Sequence, residues 1–216
     1  MNVALLQEGA RGFGLELDAA TVAQFEQFMA ELRRWNRSIN LTAITQPAEI
    51  VCKHFVDSLS LVSLLKDGER LLDIGSGAGL PGLAVAMVRH DLALTSVDAV
   101  EKKMRFQRHI CRLLGLKQVE VLHGRVEQLA AQRGGQYDLV ISRAFRNVSR
   151  FVQLAYPFVR CGGRLVAMVA GDADDATHEA GVVCGQCDLH HLETIHYRLP
   201  HGAGERNLVV FMRNQL

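Results

Sequence analysis

From residue 70 onward, short runs of apolar residues alternate with longer segments in which apolar residues recur at helical spacing. Near-continuous apolar strands between helices are typical of a parallel sheet that is covered on both faces. The pattern therefore predicts an α/β fold with a Rossmann-like sheet. The predicted strands are 70–74, 93–98, 118–122, 137–142 and 164–170, and the predicted helices are 81–90, 101–114, 124–132, 148–159 and 173–182.

The pattern changes toward the C-terminus. The segments 187–197 and 206–212 are predicted as strands, and no full helix separates them. Strands joined without a crossover helix favour antiparallel pairing. We therefore expect a seven-stranded sheet that is mostly parallel and carries an antiparallel hairpin at one edge.

The N-terminal residues are predicted to be helical. Asp18 is a predicted N-cap, and Pro47 suits the first turn of a second helix that ends near residue 65. We expect a helical appendage over 1–66 and the main α/β domain over 67–216. The apolar positions at helical spacing after Asp18 are Val22, Phe25, Phe28, Met29, Leu32 and Trp35.

Composition narrows the class of protein. No run of about 18 apolar residues is present, so we expect no membrane span. The first residues lack the basic start and long apolar centre of a secretory signal. The five cysteines are sparse and odd in number, which argues against a disulfide scaffold and favours a cytoplasmic location.

Charge is distributed unevenly along a nearly neutral chain. The net charge is +1, but residues 100–150 contain eleven Lys and Arg against four Asp and Glu. A basic middle on a neutral protein can form a local phosphate-binding face. A solvated basic side of the helix at 101–114 explains the same excess, so charge alone does not decide between the two.

Four glycines follow the first predicted strand, in the segment Leu71-Leu72-Asp73-Ile74-Gly75-Ser76-Gly77-Ala78-Gly79-Leu80-Pro81-Gly82. Glycine permits positive φ and lets a ligand lie against bare backbone, and the helix that follows adds unpaired N–H groups. Such a loop binds a nucleoside that carries an anionic group. We expect Asp73, Gly75, Gly77 and Gly79 to take part in the site.

Two cofactors compete for this loop. The spacing Gly77-x-Gly79-x-x-Gly82 matches the dinucleotide fingerprint, and Asp98 at the end of the next strand can hold the ribose of either cofactor. A carboxylate at Asp73 would repel a pyrophosphate but suits the cationic end of S-adenosylmethionine. No hydride-transfer apparatus is visible in the sequence. The pattern favours S-adenosylmethionine over NAD.

The end of the fourth predicted strand bears on the methyl acceptor. It reads Ser142-Arg143-Ala144-Phe145, without the Asn/Asp-Pro-Pro-aromatic pattern of enzymes that methylate exocyclic amines. A pyrimidine-C5 enzyme is not indicated either, because the sequence lacks the Pro-Cys pair that often contains the nucleophilic cysteine of such enzymes. An acceptor that is already nucleophilic, such as a ring nitrogen, remains. Arg143 can then orient the substrate and Phe145 can stack on a base, although a salt bridge and a core position are the structural alternatives.

Several short segments of this sequence occur in the same order as in a known protein family. The sequence resembles the RsmG family, also called GidB, over about residues 36–215. The segments that carry the resemblance are Asn40-Leu41-Thr42-Ala43-Ile44, His54-Phe55-Val56-Asp57-Ser58, the glycine segment 73–82, Asp98 with Lys102-Lys103, Arg125-Val126-Glu127 and Ile141-Ser142-Arg143-Ala144-Phe145.

The resemblance implies a fold and an activity. It implies a class I methyltransferase fold and a bacterial cytoplasmic enzyme that methylates N7 of one guanine in 16S ribosomal RNA. The methyl donor would be S-adenosylmethionine and the product S-adenosylhomocysteine. The partner would be the small ribosomal subunit or its assembly intermediate, and we expect a monomer.

The resemblance also implies roles for individual residues, although it assigns no certain catalytic residue. Gly75 and Leu80 would line the cofactor, and Asp98 would hold its ribose. Arg143 would lie at the junction of cofactor and substrate. The adenine would be flanked by Val126 and Glu127, and the positions that would face RNA are His54, Lys102 and Arg206.

Two further features qualify the resemblance. The family commonly has Lys-Gly after the fifth strand, where this chain reads Met168-Val169-Ala170-Gly171, so a substrate-side lysine is missing. Cys184, Cys187 and His190 look like metal ligands, but their spacing is tighter than in common zinc sites. We predict no metal site.

Three alternative functions stay open at this point. An NAD-binding oxidoreductase or sensor would bind NADH even after Asp73→Ala. A small-molecule methyltransferase would not need Lys102 and Arg143 for binding. A non-catalytic RNA-binding protein would bind RNA without leaving a methyl group on it.

Overall fold

A sheet of seven strands crosses the part of the chain that the computed structural model describes, which is 1–143, 145, 147–171, 180–181, 183–185 and 187–215. Alternating residues of each strand point to opposite faces of the sheet. The strands are β1 (Arg70–Ile74), β2 (Ala93–Asp98), β3 (Val119–His123), β4 (Tyr137–Ser142), β5 (Val159–Ala170), β6 (Leu189–Arg198) and β7 (Glu205–Arg213).

The strand order across the sheet is β3-β2-β1-β4-β5-β7-β6. The first five strands pair in parallel, whereas β7 runs antiparallel to both β5 and β6. The predicted parallel sheet with an antiparallel edge hairpin is confirmed. The order reverses between β1 and β4, and ligands of open α/β sheets bind at the carboxyl ends of strands beside such a reversal.

The helices fall into an N-terminal group and a group that connects the strands. A π-helical stretch, Val51–Val56, joins α3 to α4, and a 3-10 stretch, Ser60–Leu64, follows. The α-helices whose bounds lie within the described residues are α1 (Val3–Arg11), α2 (Ala19–Ile39), α3 (Pro47–Ile50), α4 (Asp57–Leu59), α5 (Gly82–Val88), α6 (Glu101–Leu114), α7 (Ala130–Arg133) and α8 (Val148–Ala155). None of them is long and apolar enough to cross a membrane.

Two hydrophobic clusters lie on the two faces of the sheet. One contains Leu71 and Val166, and the other contains their chain neighbours Leu72 and Leu165. The first cluster also includes Phe28 and other residues of α1 and α2, so the N-terminal helices share this core with the sheet, and α2 packs against α5 and α6. The division into an appendage over 1–66 and a domain over 67–216 stays a prediction, because residues on both sides of that boundary share this cluster.

Most predicted elements are present, with differences at their ends. The bounds of β1, β2, β4 and α6 agree with the prediction, and Gly115 ends α6 in the left-handed conformation. The predicted helix 124–132 is a 3-10 turn followed by α7. The predicted helix 148–159 ends at Ala155, because Pro157 cannot donate the next helical hydrogen bond. The predicted helix 173–182 lies largely outside the described residues.

Three other differences have local causes. The structure starts β5 at Val159, whereas the prediction started it at residue 164. Gly162 and Gly163 indicated a loop in the sequence, but they lie inside the strand, where its register with β4 shifts. Helix α1 was not predicted; its N-cap, Asn2, accepts a hydrogen bond from the Leu5 N–H at 3.1 Å. The predicted second helix is helical as expected, but its middle is π-helical.

Candidate active site

The glycine loop joins the carboxyl end of β1 to α5. Gly75, Gly77 and Gly79 have φ values of 69°, 57° and 85°, in the left-handed region that favours glycine. A Cβ atom on Gly77 would meet nothing closer than a backbone oxygen at 3.9 Å, so the space above this residue is open. The loop therefore presents bare backbone, as a nucleoside site requires.

Asp73 lies beneath the loop and is fully buried. One of its carboxylate oxygens accepts a hydrogen bond from the Gly82 N–H at 2.9 Å, and the other has no hydrogen-bond partner among the described residues. Burial raises the pKa of Asp73 to about 7, although the Gly82 hydrogen bond and the Arg143 charge act in the opposite direction. Asp73 thus links β1 to the first residue of α5 across the loop. Its direct contact with a cofactor stays a prediction.

Asp98 is fixed at the carboxyl end of β2. Its two carboxylate oxygens accept hydrogen bonds from the Gly77 N–H at 3.0 Å and the Val100 N–H at 2.9 Å. Lys103 lies 3.9 Å from one of them. Each oxygen can accept a second hydrogen bond, so Asp98 can still receive two hydroxyl groups. It does not act as the N-cap of α6, which is Val100.

A cleft of about 460 Å³ opens beside the loop, at the carboxyl ends of β1 and β2. We call it the glycine-loop cleft. Four predicted cofactor residues line it: Gly75, Asp98, Val126 and Glu127. Gly77, Gly79 and Leu80 are not among its lining residues, and Leu80 is buried in the first core cluster. The remaining lining residues are Ile74, Val97, Ala99, Gly124, Arg125, Phe145, Arg150 and Leu154.

A second cleft of about 590 Å³ meets the first at Phe145, which lines both. We call it the basic cleft, since cationic side chains from three parts of the chain line it. Three residues predicted to face RNA or substrate, His54, Arg143 and Arg206, come together here. Its other lining residues are Ile44, Lys53, Asp57, Met168, Val169 and Ala170.

Asp57 organises the wall of the basic cleft. Its buried carboxylate accepts hydrogen bonds from the Tyr197 hydroxyl at 2.9 Å and from Arg143 at 3.3 Å, and lies 3.6 Å from the Arg206 guanidinium. Burial, and next the negative charge of Asp57, raise the pKa of Tyr197. A buried carboxylate that carries several charged donors fixes their positions strongly. Arg143 and Arg206 are therefore held in place before any ligand arrives.

His54 is buried next to Arg143 and is neutral. Burial, reinforced by the Arg143 charge, lowers its pKa to about 3. Its Nδ1 lies 3.3 Å from an Arg143 nitrogen, which can only donate, so Nδ1 accepts. The proton then sits on Nε2, 2.8 Å from the Thr42 hydroxyl. His54 therefore orients Arg143 and has no free basic nitrogen.

Comparison with known proteins identifies the family. The sequence model of GidB, described as rRNA small subunit methyltransferase G, matches residues 21–209. The chain belongs to the GidB family. It is 44% identical over 210 residues to "Ribosomal RNA small subunit methyltransferase G" of Geobacter sp. (strain M21), covering 97% of both chains. It is 43% identical over 206 residues to the protein of that name from Geotalea uraniireducens, covering 95% of this chain and 94% of the relative.

Solved structures agree with the fold of this GidB protein. A SAM-dependent methyltransferase from Aquifex aeolicus matches with a TM-score of 0.61 and 16% identity, over 80% of this chain and 97% of that one. An O-methyltransferase from Bacillus cereus, solved with SAH, matches with a TM-score of 0.61 and 15% identity, over 87% and 91% of the two chains. The predicted Rossmann-like class I methyltransferase fold is confirmed.

The two clefts of the GidB chain contain most, but not all, of the predicted site residues. Lys102 is exposed on the first turn of α6 and lines neither cleft. Asp57 and Tyr197 were not assigned a role from the sequence. Asp57 lies in the quoted segment His54–Ser58, where a charged residue among apolar neighbours was an available signal. No sequence signal marked Tyr197, because its contact with Asp57 spans 140 residues.

The two qualifying features of the sequence have different outcomes. Met168, Val169 and Ala170, at the position of the missing lysine, line the basic cleft, which is therefore apolar on that side. In the part of the chain that the structure describes, no group of three or more residues can hold a metal ion. His190 instead lies 2.7 Å from the side-chain oxygen of Asn214, and the absence of a metal site stays a prediction.

Proposed function

We propose that this GidB protein transfers a methyl group from S-adenosylmethionine to N7 of one guanine in 16S ribosomal RNA. The observation that carries the proposal is the meeting of the glycine-loop cleft and the basic cleft at Phe145. A donor in the first cleft and a base in the second would face each other across a short distance, as an in-line displacement requires. Membership of an rRNA methyltransferase family supports the same activity.

The glycine-loop cleft fits S-adenosylmethionine. Asp98 has acceptor capacity for the two ribose hydroxyls, and the bare backbone of Gly75 allows close approach of the ligand. We assign the adenine to the part of the cleft near Val126 and Glu127. NAD chemistry is not favoured, because the family is one of methyltransferases. A small-molecule acceptor is not favoured either, because the relatives are named for ribosomal RNA.

The basic cleft offers no free general base among its described lining residues. The acceptor nitrogen of His54 is occupied by Arg143, and the Asp57 carboxylate accepts from Tyr197 and Arg143. Lys53 is paired with Glu49 at 2.6 Å. An acceptor that must lose a proton before attack would lack help here. Guanine N7 carries a lone pair at neutral pH and needs none.

The residues of the chain align the acceptor and tolerate the charge that develops on it. When bound, S-adenosylmethionine supplies an electrophilic methyl group, and the electrons of the breaking C–S bond stay on sulfur as the new N–C bond forms. Phe145 lies where it can stack on the guanine, and a stacked aromatic ring stabilises the cationic 7-methylguanine product. Arg143 and Arg206, held by Asp57, are placed to contact the base or its phosphate.

The remaining parts of the proposal concern the partner. The target guanine must leave its stack to reach the basic cleft, at a cost of a few kcal/mol that is smaller in a loop. We include in the proposal the small ribosomal subunit or its assembly intermediate as the form of the RNA, a monomeric enzyme and a cytoplasmic location. The size of the two clefts suits one cofactor and one flipped nucleotide.

Labelled S-adenosylmethionine tests this function. Small subunits and naked 16S rRNA from a strain lacking the enzyme are incubated with the protein, and the label is mapped by nuclease digestion and mass spectrometry. We expect one 7-methylguanine in 16S rRNA and no label on subunits that already carry the methyl group. Label on another base position, on protein alone or on nothing contradicts the proposal.

A further inference from the structure

A third cavity of about 260 Å³ lies next to the basic cleft. We call it the flanking groove. Ile44 lines both cavities, so the groove and the basic cleft meet at this side chain. The other lining residues are Leu32, Arg33, Asn36, Arg37, Thr42, Thr45 and Ile50. None of these residues takes part in the activity proposed above.

The groove has one cationic wall. Arg33 and Arg37 are four residues apart on α2, so they lie on the same face of the helix. Both side chains are exposed, and neither forms an ion pair with any residue in the described ranges. Arg34, between them, is instead paired with Glu31 at 2.5 Å and does not line the groove. The two arginines of the groove are therefore available to an anionic ligand.

The loop after α2 supplies further lining residues of the groove, and hydrogen bonds fix its position. The Asn36 side chain donates to the Thr42 carbonyl and accepts from the Thr42 N–H, both at 2.9 Å. The Thr42 hydroxyl accepts from the Ile44 N–H at 3.0 Å and lies 2.8 Å from His54 in the basic cleft. These bonds join the two cavities into one preformed surface, so little ordering is needed on binding.

We propose that the flanking groove binds a nucleotide that neighbours the target guanine in a single-stranded stretch of rRNA. This proposal rests on the function proposed above. Arg33 and Arg37 bind the phosphate through their planar guanidinium groups, and the half-buried side chain of Ile44, which lines the groove, contacts the sugar or base. A base that is flipped into one cavity brings its chain neighbour to the adjoining one.

The size and charge of the groove favour a nucleotide over a protein segment. Its volume lies below the range of about 300–1,000 Å³ of pockets for drug-sized ligands, so it holds a single small unit. Its described lining residues include two cations and no carboxylate. An RNA strand carries regularly spaced phosphates, which are the groups that a cationic site of this kind binds.

Charge variants on α2 test the proposal. Arg33→Gln with Arg37→Gln removes both cations from exposed helix positions and keeps good helix formers there. Arg34→Gln is the matched control, since it removes one cation from the same helix outside the groove. Arg33→Lys with Arg37→Lys keeps the charge and loses the planar group. Binding of naked 16S rRNA is measured by filter binding across a salt series, and cofactor affinity by calorimetry.

The expected result is specific to phosphate contacts. For the glutamine pair, Kd for rRNA rises roughly tenfold or more, and the slope of log K against log salt falls by about 0.7, the value for one single-strand phosphate contact. The Arg34→Gln control and the lysine pair keep the wild-type slope. Cofactor affinity and the rate at saturating RNA stay unchanged in all of them.

Three outcomes overturn the proposal. The first is a glutamine pair with wild-type Kd and slope, while wild-type protein still methylates rRNA. The second is a lysine pair that behaves like the glutamine pair, because the effect would then be structural. The third is weakened binding to assembled subunits alone, because the groove would then contact a ribosomal protein. If the wild-type protein leaves no methyl group on rRNA, the proposed function fails instead.

Discussion

At the scale of single residues, the glycine loop depends on two kinds of glycine. Gly82 must lack a side chain for packing, because a Cβ there would lie 2.8 Å from the Asp73 carboxylate. Gly77 has open space above it and is left-handed. Packing therefore does not require a glycine at this position, and a role of Gly77 in cofactor binding stays a prediction.

Gly77→Asp should abolish cofactor binding without unfolding the protein. The new side chain would occupy the space above the loop and place a second carboxylate beside Asp98, which already bonds the Gly77 N–H. We expect affinity for S-adenosylmethionine to fall by roughly 100-fold or more, a loss of about 2.7 kcal/mol. Calorimetry measures it. Gly14→Asp is the control, because Gly14 also has a positive φ, 73°, and open space but lies in the turn after α1 and not in the glycine loop. Equal affinity in both variants would show that the loop has another role.

His54 should make stability depend on pH in a defined direction. Its folded-state pKa, about 3, lies below the ordinary 6.5, so protonation favours the unfolded chain. Its contribution is complete above about pH 6.5 and is lost as the pH falls toward 3. The difference in unfolding free energy between wild type and His54→Asn should shrink by about 2 kcal/mol between pH 8 and pH 5. Urea denaturation at each pH measures it.

The comparison with His54→Asn removes the contribution of other titrating groups. Asp73, whose pKa is raised to about 7, changes stability in the opposite direction over an overlapping range. Both proteins contain Asp73, so its effect cancels in the difference. A difference that stays constant from pH 8 to pH 5 would contradict the buried, neutral state of His54.

At the scale of elements, the sequence predicted best where one pattern dominates. The strands β1, β2 and β4 are short segments rich in apolar residues that are flanked by turn residues, and α6 ends at a glycine, so their bounds agreed with the structure. Helix α1 was missed because its buried residues form a short stripe. The π-helical stretch was not predicted either, because the spacing of apolar residues along the sequence does not distinguish a π-helical turn from an α-helical one.

The candidate site was predictable to the extent that it lies in local segments. The glycine loop, Asp98 and Arg143 stand at strand ends, where the chain pattern marks them. The support of Arg143 could not be predicted, since Asp57 contacts it across 86 residues and contacts Tyr197 across 140. Such contacts depend on how the helices pack on the sheet.

The packing of α2 on that core can be measured by one substitution. Phe28 is fully buried, with its ring centroid 5.5 Å from that of Phe55 and 6.1 Å from that of Phe106. Phe28→Ala should destabilise the protein by about 3–5 kcal/mol, because it leaves a cavity between α2, α6 and the π-helical stretch. Phe28→Leu, the control, should cost less. A loss below about 1 kcal/mol in urea denaturation would contradict this packing.

At the scale of the whole molecule, the shared core predicts a single unfolding transition. Trp35, on α2, is the one tryptophan of the chain and packs against Phe106 of α6. Its fluorescence therefore reports on the N-terminal helices, whereas far-ultraviolet circular dichroism reports on the entire fold. We expect the two urea transitions to coincide. Loss of the fluorescence signal at lower urea would instead show that residues 1–66 unfold as a separate domain.

The reach of that core also bears on how the protein folds during its own synthesis. The cluster that contains Leu6 near one terminus contains Leu208 near the other. At translation rates of about 5–20 residues per second, the second residue is made roughly 10–40 s after the first. The apolar side chains of the N-terminal helices are only partly covered during that time, so we expect the nascent chain to bind chaperones until the last strand is made.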